Sequence, residues 1–116
     1  MTRASLRLMA CAVWLFVGGG AAAATLDAVN IQRAADTTRV VFDVSARVPF
    51  KVFTLTNPHR VVVDLSATRP RFDVTSTPVA GSDVASVRGG ARGDGYRVVL
   101  QVDEPLQAKG YMIASA

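Results

Sequence analysis

Pro58-His59-Arg60-Val61-Val62-Val63-Asp64-Leu65 decides how this chain is read. Its pattern is an arginine, two or three branched apolar residues, an acid or amide, then valine or leucine. Arg39-Val40-Val41-Phe42-Asp43-Val44 is a second copy and Arg97-Val98-Val99-Leu100-Gln101-Val102 a third. β-Branched runs bounded by turn residues read as strands. Alternate side chains of a strand face opposite ways, so Val61, Val63 and Leu65 share one face and Arg60, Val62 and Asp64 the other. The same parity sends Val40, Phe42 and Val44, or Val98, Leu100 and Val102, inward. It leaves Arg39, Val41 and Asp43, or Arg97, Val99 and Gln101, outward, so each strand carries one polar-tipped stripe.

The start of the chain reads differently. Arg3 and Arg7 precede an apolar run from Leu8 to Val17, and Ala22-Ala23-Ala24 offers a cleavage site before Thr25. This is the plan of a secretory signal over residues 1–24, leaving residues 25–116 as the mature domain. A membrane span needs roughly 20 apolar residues, and Gly18-Gly19-Gly20 breaks this run too early, so membrane contact is expected only through the uncleaved signal. Cys11 lies inside that apolar run. With the signal removed no cysteine remains for a disulfide or thiolate site.

Removing Arg3 and Arg7 leaves eleven basic residues against nine acids, 11 − 9 = +2. So small a charge without a basic run argues against nucleic acid as a partner. Arginine outnumbers lysine eleven to two, which favours planar, bidentate contacts with carboxylates.

In order along the mature part, a first strand is expected from Leu26 to about Arg33, with slippage around Ala28 and Val29. A turn at Ala35-Asp36-Thr37-Thr38 and a strand from Arg39 to Ser45 follow. Arg47-Val48-Pro49 breaks that strand, since proline cannot donate to a ladder. Phe50–Leu55 alternates cleanly, Asn57-Pro58-His59 turns the chain, and Arg60–Leu65 is the next strand. Ser66 to Ser82 reads as a long crossing connection with a short strand around Phe72 to Val74. A strand from Val84 to Arg88 leads into the glycine-rich stretch Gly89 to Gly95, where Asp94-Gly95 signals a hairpin. Strands at Arg97–Val102 and from Ala108 to Ile113 complete the reading. No segment keeps a helical period.

A shift of 58 residues lays Val29 on Val87, Asp36 on Asp94, Arg39 on Arg97, Val44 on Val102 and Phe53-Thr54-Leu55 on Tyr111-Met112-Ile113. Two halves of one plan predict an all-β fold, a small β-sandwich of two pseudo-symmetric antiparallel sheets. By that register the counterpart of Arg60–Leu65 would begin near position 118, so the last strand is expected to be missing.

These residues carry a family resemblance. Leu26-Asp27-Ala28-Val29-Asn30-Ile31-Gln32-Arg33, Thr38–Val44, Phe53-Thr54-Leu55-Thr56-Asn57-Pro58-His59-Arg60–Leu65 and Tyr96–Leu100 resemble the AMIN domain, over nearly all of Leu26 to Ile113. That module stands at the N-terminus of exported, cell-division N-acetylmuramoyl-L-alanine amidases and also occurs in pilus secretins. The resemblance implies a periplasmic sandwich that binds peptidoglycan and brings a C-terminal zinc amidase to the division site. The arginines here are separated, not the twin pair of some members, and the hydrolase domain is not in this chain.

A zinc hydrolase needs about three protein ligands, commonly His and Glu. This chain has His59 and Glu104 alone of those types, and His59 reads as an exposed turn residue. No Gly-x-Ser-x-Gly elbow is present. The expectation is therefore a non-enzymatic chain without a cofactor or metal. Binding falls to the outward stripes: Arg39, Asp43, Arg60, Asp64, Arg97 and Gln101, with Tyr96 as a candidate for stacking on a sugar ring. Arg39 with Asp43, and Arg60 with Asp64, are placed for pairing across neighbouring strands. The guanidinium groups would meet carboxylates of peptidoglycan, with division-site or envelope proteins as further partners. The alternative is an envelope assembly domain of a secretin or pilus system, binding protein by adding to a sheet edge.

Overall fold

The computed structural model describes residues 4–9, 12–15, 23–34, 37–105, 107–110 and 112–114. Valine-rich alternation becomes strands throughout: β1 (Ala4–Met9), β2 (Ala12–Leu15), β3 (Ala24–Ala34), β4 (Thr37–Val44), β5 (Phe50–Leu55) and β6 (Arg60–Leu65). They are followed by β7 (Thr68–Pro70), a 3-10 turn at Val74–Ser76, β8 (Val84–Arg92), β9 (Gly95–Val102) and β10 (Met112–Ala114). Two sheets result. Sheet A runs β10-β1-β2-β4-β3-β7, with β1 also paired along β4, and sheet B runs β5-β6-β9-β8.

The inward faces of both sheets share one core. Leu26, Val29, Val40, Phe42 and Val44 of sheet A and Val61, Val63, Leu65, Val98 and Leu100 of sheet B are all buried within it. This is the sandwich that the alternation predicts. Burial of this many branched side chains is the main stabilising term, since each contributes roughly 1.5–3 kcal/mol relative to exposure.

The two halves match at the level of register. Leu26 faces Val44, Ala28 faces Asp43 and Val29 faces Phe42, and in sheet B Val84 faces Val102, Ser86 faces Gln101 and Val87 faces Leu100. Each pair moves onto the other by the shift of 58, bulge included, because the ladder slips between Leu26 and Ala28 and again between Val84 and Ser86. An extra residue in one strand lets both Leu26 and Val29 point inward, which is the slippage seen in the sequence.

Several local expectations are corrected. Ala35 and Asp36 lie outside the described residues, while Thr37 and Thr38 already belong to β4. In the crossing segment the short strand is Thr68–Pro70, not Phe72–Val74, and it pairs parallel to β3, so sheet A is not purely antiparallel. Ala24 N–H donates to Ala67 O and Arg71 N–H to Leu26 O, both at 2.9 Å, and these bonds tie the crossover to the edge of β3. Asp73 then caps the 3-10 turn, its carboxylate accepting from Thr75 N–H at 3.0 Å.

The glycines after Arg88 do not end the strand. β8 continues to Arg92, and the two-residue turn is Gly93-Asp94, one position earlier than the Asp94-Gly95 signal. Gly93 has φ of 59°, as the first central residue of a type II′ turn requires. Gly89 stands in the strand opposite Val98, and Tyr96 packs over it: a Cβ there would fall on the Tyr96 hydroxyl and ring. Of the strand expected from Ala108, only Met112–Ala114 is seen, and Tyr111 lies outside the described residues. Residues 4–9 and 12–15, read as part of a leader, form strands on sheet A.

Candidate functional site

The outer face of sheet B is set by register alone. Across β5, β6, β9 and β8 it shows three rows: Lys51, Asp64, Arg97 and Gly90, then Phe53, Val62, Val99 and Arg88, then Leu55, Arg60, Gln101 and Ser86. Arg92 follows Gly90 on the same face of β8. The face thus carries Lys51, Arg60, Arg88, Arg92 and Arg97 against one acid, Asp64. Val62 at its centre is buried to 1% exposure although it points away from the core. Phe53 and Val99 flank it, so the cations surround an apolar floor.

Asp64 organises one side of this face. Arg97 donates to both of its carboxylate oxygens, Nε to Oδ1 at 2.7 Å and a terminal nitrogen to Oδ2 at 2.8 Å. Arg92 Nε lies 3.8 Å from Asp64 Oδ2. The hydrogen bond from Arg97 holds the Asp64 carboxyl below its ordinary pKa, opposed by partial burial and assisted by the charges of Arg97, Arg92 and Lys51. The same bond raises the pKa of Arg97. The guanidinium of Arg97 also stands over the Phe53 ring, 5.4 Å from its centroid, a cation–π contact.

The cross-strand pairing expected for Asp64 is thus made with Arg97, and Arg60 has other partners. Its Nε and one terminal nitrogen donate to Pro58 O at 3.1 Å and Thr56 O at 3.2 Å, so it turns back over the β5–β6 turn. Two shallow concavities cross β8 and β9, about 360 Å³ between Arg60 and Arg88 and about 270 Å³ between Arg88 and Arg97. Both are lined by Arg88 and Val99, and together they make one trough with arginines at each end and in the middle.

The structure therefore brings Arg60, Asp64, Arg97 and Gln101 together on one face. Arg39 and Asp43 stand on β4 in sheet A, directly opposite Gln32 and Ala28 of β3, and belong to the other side of the sandwich. Tyr96 faces inward, packed against the core and over Gly89. Burial, then the charge of Asp73, raises its hydroxyl pKa. It borders the open end of the sandwich with Phe50 and Leu65 and does not join the outer face.

Arg88 and Arg92 were missed by the sequence reading, as were Lys51 and Phe53, while Val99 was placed outward but not among the site residues. Arg92 was assigned to a glycine loop, but it stands in β8 opposite Gly95. Parity from the bulge at Ser86 would have found both arginines, had the strand been carried through the glycines. Among the described residues no group of His, Cys, Asp and Glu could hold a metal ion. No helix of the described residues is long and apolar enough to cross a membrane.

The fold is thus a two-sheet sandwich with an arginine-lined trough on the outer face of sheet B. The family is shown directly: the model of the AMIN domain matches residues 28–115, about three quarters of the sequence, and the chain belongs to that family. No curated protein and no solved structure matches it. The AMIN domain is a non-catalytic domain, and membership is consistent with an envelope role linked to peptidoglycan.

Proposed function

We propose that the chain is a peptidoglycan-binding and septal-targeting module of an N-acetylmuramoyl-L-alanine amidase that cleaves cell wall at division. In this reading it is exported to the periplasm behind a leader removed after Ala24. The observation that carries the reading is the outer face of sheet B, where five cations surround Phe53, Val62 and Val99 and Asp64 neutralises one of them. Peptidoglycan offers the complement: carboxylates on stem peptides and lactyl groups, spaced along a glycan with apolar ring faces. Arg88 and Arg92 are exposed and present forked donors suited to carboxylates. Arg60, Arg97 and Gln101 line the same trough, and repeated weak contacts on a polymer combine into useful avidity.

The test is retention of the purified chain by sacculi. Arg88→Ala with Arg92→Ala removes two charge-assisted contacts of about 1 kcal/mol each, so retention should weaken by about tenfold or more. Arg39→Ala, on the opposite sheet, serves as the comparison. Equal loss from Arg39→Ala, or no loss from the double variant, rejects sheet B as the binding face.

A further inference from the structure

The trough on sheet B is rich in hydrogen-bond donors and poor in acceptors. Arg60, Arg88, Arg92 and Arg97 can only donate, and of the side chains lining its two hollows only Ser86 and Gln101 can accept. Asp64, the acid of the face, has both carboxylate oxygens taken by Arg97. A glycan suits this lining badly, because its hydroxyl groups donate as well as accept. Nor is an aromatic plane left for a sugar ring: the Arg97 guanidinium stands over Phe53, and Tyr96 turns inward. The matching ligand group only accepts, and a carboxylate meets an arginine fork with both oxygens.

Register sets how many such groups fit and how far apart. One hollow lies between Arg60 and Arg88 and the other between Arg88 and Arg97, and the two share Arg88 and Val99. The first spans the rows of Gln101 and Val99, the second the rows of Val99 and Arg97, so they are one row apart. Residues two apart on a strand are separated by about 7 Å. Each hollow thus has an arginine on either side.

The arginines are also prepared unequally. Arg60 and Arg97 are each held through Nε and one terminal nitrogen, Arg60 by backbone carbonyls and Arg97 by Asp64, which leaves their second terminal nitrogens unengaged. Arg88, between them, is exposed and has no hydrogen-bond or ion-pair partner among the described residues. Two fixed forks therefore flank a free one.

We infer that the trough recognises peptide and not glycan, its ligand being a short extended peptide with two carboxylates about 7 Å apart. The carboxylates lie on either side of Arg88, which reaches both, while Arg60 and Arg97 each complete one site. Acids at positions i and i+2 of an extended chain stand at this distance and point the same way. Peptidoglycan carries carboxylates on its stem peptides, so as a cell-wall site this one rests on the peptidoglycan reading of the same face.

The test uses the full chain and three preparations: untreated sacculi, sacculi whose carboxyl groups have been converted to amides, and glycan strands stripped of their stem peptides. The chain should be retained by the first and bind the other two about tenfold or more weakly, since both forked contacts are lost. Equal retention by amidated sacculi or by bare glycan overturns the peptide assignment while the cell-wall reading stands. The tripeptide Glu-Ala-Glu should bind at least about tenfold more tightly than Gln-Ala-Gln. That preference in a chain that untreated sacculi do not retain supports the two-carboxylate site and rejects the cell-wall reading; absence of the preference overturns the site.

Arg88→Lys separates a forked contact from plain charge. It keeps the charge at an exposed position, so urea unfolding should be unchanged, while the preference for Glu-Ala-Glu should fall by about fivefold or more. An undiminished preference in this variant would overturn the assignment, since charge alone would then account for binding.

Discussion

Asp64→Asn separates the two roles of the acid on the sheet B face, because it should weaken the fold and strengthen ligand binding at once. In the native chain Asp64 and Arg97 are directly opposed on β6 and β9 and joined by two hydrogen bonds of 2.7 and 2.8 Å. Their side chains are 23% and 28% exposed, so solvent screens the pair only in part. A cross-strand pair of this kind contributes on the order of 1 kcal/mol. With a urea slope of about 2 kcal/mol/M, the unfolding midpoint should fall by about 0.5 M. The same change takes the formal charge of the face from 5 − 1 = +4 to +5 and releases Arg97 from an internal carboxylate. One further charged contact of about 0.5–1 kcal/mol corresponds to a two- to five-fold gain in affinity for sacculi. The assay pairs urea unfolding with sacculus binding at two salt concentrations, and the gain should shrink at higher salt. Weaker binding by a folded Asp64→Asn chain would refute the reasoning, since it would make the carboxylate part of the ligand contact and not a competitor for Arg97.

The pH dependence follows from the same pair. Asp64 has its pKa lowered in the folded state, so its contribution is present above the ordinary carboxylate range and is lost as pH falls through the folded value. Thermal unfolding of Asp64→Asn should therefore fall less steeply with acid than that of the native chain. Gly89→Ala forces a Cβ into the Tyr96 ring and should cost about 1–3 kcal/mol, whereas Gly90→Ala meets open space and should change stability by less than about 0.5 kcal/mol. Adding Tyr96→Ala to Gly89→Ala should recover part of the loss, with a coupling of at least about 0.5 kcal/mol in the double-mutant cycle. Phe42→Ala, at a fully buried position between the sheets, should cost about 3–5 kcal/mol in denaturant unfolding.

What the sequence determined by itself is the part of the structure written in short-range pattern. Alternation in Phe50–Leu55 and Arg60–Leu65 placed both strands with their observed bounds. The shift of 58 residues carried the pairing of β3 with β4 onto β8 with β9, and even the bulge repeats, because like side chains at like spacing make like ladders. Inward and outward faces followed from parity, which needs no knowledge of neighbours.

Only the tertiary structure decided which stripes meet. Cross-strand pairing of Asp64 was expected, but that Arg97 is its partner depends on β9 lying beside β6 in this register. The repeat implied a stripe on each sheet, and Arg39 and Asp43 do stand on sheet A; that Arg60 and Asp64 of the same half join Arg97 on sheet B follows from the pairing of β6 with β9. The pairing of β8 with β9 runs through the glycines as far as Arg92, and this brings that arginine to the trough. Residues 4–9 show the same division: their own sequence reads as part of a leader, and only the tertiary structure pairs them with β4 and β10, more than thirty positions away.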